Sequence, residues 1–159
     1  MASWEQFESE APELAAAVQA RLDAQTHKLM ATLKRDGSPR ISGIEIAIRN
    51  GEFWIAGIPG SLKFKDLRRD GRVAVHSGSV DAGDDHGAWP GDGKVSGVAE
   101  PVDDPEGLAA YAKGAPPGPP GPAVFRLDIT DASRVRVEGN QLVVEHWSPG
   151  QPVRRMKAG

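Results

Sequence analysis

Apolar residues in the first two dozen positions recur in steps of three and four: Trp4, Phe7, Ala11, Leu14, Val18 and Leu22. That period gathers them on one face of a helix. Pro12 interrupts the run, because its ring clashes with the preceding turn and it lacks an amide donor. The pattern therefore predicts two helices, over 3–9 and 12–24, with Pro12 opening the second. Ser3 and Gln6 are spaced for a capping box at the start of the first. The shared apolar face of this helical segment, residues 1–25, needs a partner, and a cover across one end of a barrel is the expected role.

From Leu29 the period shortens to two. Residues 29–34 read as a strand that ends at Asp36-Gly37, a favoured hairpin turn because glycine takes positive φ without a Cβ clash. Residues 40–49 carry Ile44, Ile46 and Ile48 in phase and Ile41 out of phase, which predicts one strand with a bulge near Ser42-Gly43. Asn50-Gly51 turns the chain again and 52–57 returns, so two hairpins in succession predict an antiparallel meander. Residues 61–70 read as a short helix with Phe64 and Leu67 inward, and 72–77 as a strand around Val73 and Val75. Further strands are expected at 94–102, 125–129, 135–137 and 142–147, with a short helix over 103–113. The glycine- or proline-rich stretches 78–93 and 114–122 predict exposed loops, and 148–159 a C-terminal tail. Six to eight short antiparallel strands with few helices predict a mainly β fold, a small barrel in which closure removes exposed edges.

Composition narrows the function classes. A chain of 159 residues fits one domain with a real core. Nineteen Lys and Arg against 22 Asp and Glu leave a net charge of −3, which gives no reason to expect nucleic acid or an anionic membrane as partner. The absence of cysteine removes disulfides, thiolate metal sites and cysteine nucleophiles. The opening MASWEQFESE lacks the basic and apolar regions of a signal peptide. No apolar run nears the ~20 residues that cross a bilayer, so a cytoplasmic location is expected.

The sharpest candidate chemistry lies at Gly60-Ser61-Leu62-Lys63. A helix start offers free amide donors and partial positive charge, which favour an anion. Ser61 adds a hydroxyl and Lys63 a full charge in the first turn, where a cation opposes the helix dipole unless an anion is near. Taken alone, the same residues also read as an ordinary cap followed by a solvated basic face. Asp81, Asp84, Asp85 and His86 invite a metal reading, but no glutamate closes the calcium-loop spacing, so a solvated acidic loop and no metal are expected. His76 and His86 are candidates for proton delivery because histidine titrates near neutrality, His76 more as a structural strand residue. No catalytic residue is assigned.

Ala31-Thr32-Leu33, Asp36-Gly37-Ser38-Pro39-Arg40, Ser61-Leu62-Lys63 and Asp66-Leu67-Arg68-Arg69-Asp70-Gly71-Arg72-Val73-Ala74 stand in an order and spacing that resemble the pyridoxamine 5′-phosphate oxidase-like split β-barrel family, which includes flavin- and deazaflavin-dependent oxidoreductases. Weaker echoes at Gly91-Asp92-Gly93-Lys94-Val95 with Gly97, at Phe125-Arg126-Leu127-Asp128-Ile129 and at Trp147 extend the resemblance over 29–147. It implies a split β-barrel of the FMN-binding type and a homodimer with two cofactor sites at the subunit interface. The implied activity is hydride transfer between FMN or coenzyme F-420 and a small substrate. The implied phosphate contacts are Ser61, Lys63, Arg40 and Ser42, with the backbone of Ile55, Ala56 and Gly57 along the ring. The chain departs from the family at Asp66, where asparagine is common, and at Gly71, where proline is common. Asp66 is expected to salt-bridge Lys63 or Arg69 and not the ligand. Near Glu145-His146-Trp147 the substrate-binding arginine and histidine signature of the oxidase proper is not found, which argues against that activity. The alternative is a non-catalytic flavin-binding, storage or sensing protein.

Overall fold

In the computed structural model, which describes residues 1–158, nine strands follow an N-terminal helical pair. The strands are β1 (Lys28–Leu33), β2 (Pro39–Ile44), β3 (Ile46–Arg49), β4 (Glu52–Gly57), β5 (Arg72–His76), β6 (Asp92–Pro101), β7 (Ala123–Glu138), β8 (Gln141–Trp147) and β9 (Arg154–Ala158). The helices are α1 (Trp4–Glu10), α2 (Pro12–Asp23), α3 (Leu62–Arg69) and α4 (Pro105–Ala112). Strands pair in the order β2-β1-β5-β6-β7-β4-β3, antiparallel throughout, with β8 and β9 added beside β7. The two ends of that path, β2 and β3, are consecutive in the chain and meet at Glu45. This is a split β-barrel, mainly β as the strand pattern implied.

Two strand assignments change. Residues 40–49 form two strands broken at Glu45, and the expected bulge at Ser42-Gly43 is absent, since the β1–β2 register runs evenly from Lys28↔Ile44 to Leu33↔Pro39. Ile41 is out of phase simply because it points outward, at 73% exposure. Past Glu45 the chain leaves β1 and pairs with β4. Residues 125–129 and 135–137 belong to one long strand, β7. Its polar middle hid the continuity, and a register shift opposite Ser96/Gly97 accommodates it. Within 78–93 the chain makes a 3₁₀ turn at His86–Ala88 and already enters β6 at Asp92, and within 148–159 it makes β9.

The helical pair is bolted to the barrel by aromatic rings. Ser3 Oγ accepts the Gln6 amide at 3.1 Å, half of the expected box, while the Gln6 side chain donates onward to Glu10. Pro12 occupies the first turn of α2, where its missing donor is harmless. Trp4, Phe7, Leu14, Val18 and Leu22 are all buried. Phe7 stacks on Trp147 with centroids 4.5 Å apart, and Trp4 lies 6.0 Å from Phe53. The core thus runs from the helices through β4 to β8. Fully burying each such ring contributes on the order of 2–3 kcal/mol.

Candidate functional site

α3 is held by two apolar anchors. Phe64 and Leu67 are buried, and Phe64 stacks on Phe125 of β7 at 5.4 Å. Gly57, at the end of β4, makes room for this. A Cβ there would lie 3.0 Å from the Phe64 ring. The Ile58-Pro59-Gly60 turn then delivers Ser61 to the helix start, with Ile58 and Leu62 left exposed on either side of it.

Ser61 occupies the N-cap position, yet its side chain makes no capping bond. Its Oγ is buried and has no hydrogen-bond partner among the described residues. A buried hydroxyl left unpaired is destabilising by about 1–3 kcal/mol, so this atom is a donor lacking an acceptor. Lys63 Nζ donates to the Gly43 carbonyl of β2 at 3.2 Å and lies 5.7 Å from the Phe64 ring centroid. Ser61 and Lys63 therefore adjoin the Ser42-Gly43 end of β2.

The split at Glu45 matters here. β3 pairs with β4 only as far as Ile46↔Ile55, while Ala56 and Gly57 pair with β7 alone. Beyond Ile55 the backbone of β4 thus has no strand on its other side. The Ile55 side chain is fully buried in the main core, and Ala56 packs on the other face against the small cluster of Trp54, Val102 and Val124.

Arg40 is drawn elsewhere. Its Nε donates to Asp66 Oδ2 at 2.7 Å. Thr32 Oγ1 donates to the same oxygen at 2.9 Å, and Arg69 donates to Asp66 Oδ1 at 3.0 Å. Asp66 is buried, at 3% exposure. Burial alone raises its carboxyl, but the hydrogen bonds from Arg40, Arg69 and Thr32 outweigh that and hold it below the ordinary aspartate value. Of the two partners anticipated for Asp66, Arg69 is present and Lys63 is not, and Arg40 and Thr32 join it.

Beside this knot, between the β1–β2 turn and α3, lies an open hollow of about 510 Å³. Five cations line it: Lys34, Arg35, Arg40, Lys65 and Arg69. Of these only Arg40 is among the expected phosphate contacts. The signal for Lys65 and Arg69 was helical spacing: 62, 65, 66 and 69 fall on one face at 3.6 residues per turn, and position 63 points about 100° away from 62. The four phosphate candidates therefore divide into two groups, Ser61 and Lys63 beside Ser42, and Arg40 with Asp66.

Neither histidine approaches this region through a described contact. His76 Nε2 is 3.3 Å from Asp92 Oδ2, which Lys94 also contacts at 3.3 Å. Asp92 in turn accepts the Val135 amide at 2.9 Å. His86 sits exposed in the 3₁₀ turn, which packs beside β7.

The family model for pyridoxamine 5′-phosphate oxidase matches residues 14–136. No curated protein matches the chain. Among solved structures, PhzG from Burkholderia lata 383 in complex with tetrahydrophenazine-1-carboxylic acid is 16% identical over 91% of this chain and 87% of its own, at a TM-score of 0.59. A heme binding protein from Mycobacterium smegmatis is 22% identical over 84% of this chain and 58% of its own, at 0.58. A structure described as F420 reductase is 19% identical over 72% of this chain and 94% of its own, at 0.52. At these identities the likeness is one of fold. The family match spans most of the barrel and both groups of candidate residues, and by it the chain belongs to the pyridoxamine 5′-phosphate oxidase family.

Proposed function

We propose that this protein is a homodimeric oxidoreductase that binds FMN or coenzyme F-420 and transfers hydride to or from a small substrate. The observation that carries the reading is the Ser61 hydroxyl, buried and without a partner at a helix start inside the family-matched span. A phosphate oxygen is the acceptor that atom lacks, and free amides with Lys63 alongside favour the same charge. The residues fit such a group: Ser61 and Lys63 would hold the phosphate with Ser42 beside them, and the edge of Ala56 and Gly57 left open by the split would follow the ring.

When bound, the cofactor supplies the hydride chemistry, and the protein supplies position, charge and exclusion of water. Lys63 would fix the phosphate end. The exposed apolar side chains Ile58 and Leu62 would shield the site from solvent once a second copy covers them.

That second copy has a surface to use. Ile41, Ala31 and Ala74 form one outward row across β2, β1 and β5. Ile41 and Leu29 are 73% and 47% exposed, which is unusual for a sheet face that stays in water. Replacing Ile41 with aspartate should shift the protein from dimer to monomer in light scattering, and an unchanged mass would remove this face from the interface.

The direct test is a visible spectrum of the purified protein followed by titration with FMN and with F-420. Micromolar binding of either supports the reading, and no binding of both would sink it. Binding without turnover of any reduced cofactor would instead favour the storage or sensing alternative.

A further inference from the structure

We infer that His27, oriented by Glu45 where the barrel splits, is the group that exchanges a proton with the substrate, an assignment that rests on the proposed oxidoreductase activity.

Topology puts the pair at the site. Glu45 is the one residue between β2 and β3. The β1–β2 ladder ends at Lys28↔Ile44 and the β3–β4 ladder at Ile46↔Ile55. One step further, the first ladder would set Glu45 opposite His27 and the second would set it opposite Ala56. The chain keeps the first neighbour, with His27 Nε2 3.6 Å from Glu45 Oε1. It gives up the second, and that departure is what opens the edge of Ala56 and Gly57. β2 and β4 still approach each other without pairing, so the pair stands at the same opening as that edge.

Chemistry selects His27 among the four histidines. His76 has both ring nitrogens against oxygens, Nδ1 2.5 Å from the Ser77 carbonyl and Nε2 3.3 Å from Asp92 Oδ2. His146 lies 3.8 Å from Asp131 on β8, which pairs only with β7 and β9, and His86 is in the loop between β5 and β6. In His27 the carboxylate faces Nε2, while Nδ1 has no partner among the described residues. A carboxylate beside one ring nitrogen keeps the proton on it and leaves the other to take or give one. Glu45 is thus a positioning residue. Lys28, the charged neighbour on β1, turns inward and donates from Nζ to the Thr26 carbonyl at 3.0 Å. On the β5 side the chain continues past His76 as Ser77 and Gly78, and on the β4 side the edge is Ala56 and Gly57, all without charge. Both members of the pair are exposed, within reach of a dissolved substrate.

The step balances. Two-electron reduction of a substrate brings one hydrogen as hydride, with both electrons from the reduced cofactor, and needs the other as a proton. Protonated His27 breaks its Nδ1–H bond and gives that proton to the substrate atom adjoining the one that took the hydride, leaving neutral imidazole. Oxidation of the substrate runs the same step backwards.

The test follows the four imidazoles of the whole protein by NMR, assigned by replacing each histidine in turn, before and after adding FMN and, separately, F-420. The His27 resonances should move most on binding. His27→Asn and Glu45→Gln should leave melting temperature unchanged, because an exposed ion pair adds little, and cofactor affinity within about threefold of the parent. The reduction potential of the bound cofactor is then measured against pH. The His27→Asn curve should lose an inflection that the parent shows, Glu45→Gln should displace it, and Glu45→Asp should restore it. His27 loses the role if a cofactor binds while its resonances stay still, or if the parent and His27→Asn give superimposable potential curves. Failure of both cofactors to bind removes the role together with the activity it rests on, whereas binding that depends on Lys63 while His27 is silent removes the role alone.

Discussion

At the start of α3 the Ser61 hydroxyl is buried with no partner and Lys63 reaches only a backbone carbonyl. One turn later both oxygens of Asp66 are taken, by Thr32, Arg40 and Arg69. The same short helix therefore carries an unsatisfied polar end and a saturated one. Buried polar groups in folded proteins are nearly always paired, so the unpaired end is where an external group has a place. The saturated end holds the helix against β1 and β2, and so fixes the geometry of the first.

The strongest way to break this contrast is Asp66→Ala. It leaves two guanidiniums and a threonine facing a void, and thermal or urea unfolding should show a loss of about 3 kcal/mol. That is the low end for breaking a buried pair, because the Arg40 and Arg69 side chains remain 24% and 33% exposed. A loss below about 0.5 kcal/mol, the scale of an ordinary surface change, would mean the knot does not hold the helix.

Lys63→Ala tests the other end. Stability should barely move, while FMN or F-420 affinity falls by ~1–3 kcal/mol, the scale of a charge-assisted hydrogen bond. Unchanged affinity would show that the phosphate lies elsewhere.

Acid should act on the saturated end first. The Asp66 carboxyl is held below its ordinary value, so its contribution is complete above the unfolded value of 3.8 and is lost as pH falls through the lower folded value. Glu145, buried between Arg134, Arg136 and Arg155, behaves likewise below 4.5, with burial opposing and the arginines prevailing. Melting temperature should therefore be flat from neutrality to about pH 5 and decline below it, and Asp66→Asn should flatten part of that decline. A wild-type profile that stays level to pH 3 would contradict both pairs.

The smallest effect is expected for Ser61→Ala. Removing a buried, unpaired hydroxyl should stabilise the free protein by about 1 kcal/mol, yet weaken cofactor binding by about 1 kcal/mol. If the change instead destabilises the free protein, Ser61 is a structural cap after all.

Much of the fold was legible because period and turn chemistry are local. Trp4 to Leu22 marked the helices, Asp36-Gly37 and Asn50-Gly51 marked the hairpins, and Phe64 with Leu67 marked the inner face of α3. The break at Glu45 was not legible, since residues 40–49 keep a single alternation across it and the change of partner from β1 to β4 is tertiary. The continuity of β7 was hidden for a related reason: Thr130, Asp131 and Ser133 are polar, yet Asp131 pairs with β6, Ser133 with both β6 and β8, and Thr130 sits at the register shift. At the site, Ser61 and Lys63 could be picked out because a helix start has a chemical signature. The Asp66–Arg69 pair could be read from its spacing of three along the helix, but the part of Arg40 in it could not, because that bond joins β2 to a helix residue 26 positions away.

The last strand has a consequence of another kind. β9 pairs on one side only, with β8, and all five of its residues are exposed. An open edge of this sort is a template on which further chains can add strands and grow into aggregates. Arg154, Arg155 and Lys157 line it, and a second copy arriving edge to edge would set these cations against their own kind. The colloidal behaviour of the protein should accordingly be set at this edge, with concentrated solutions clouding sooner when salt screens those charges.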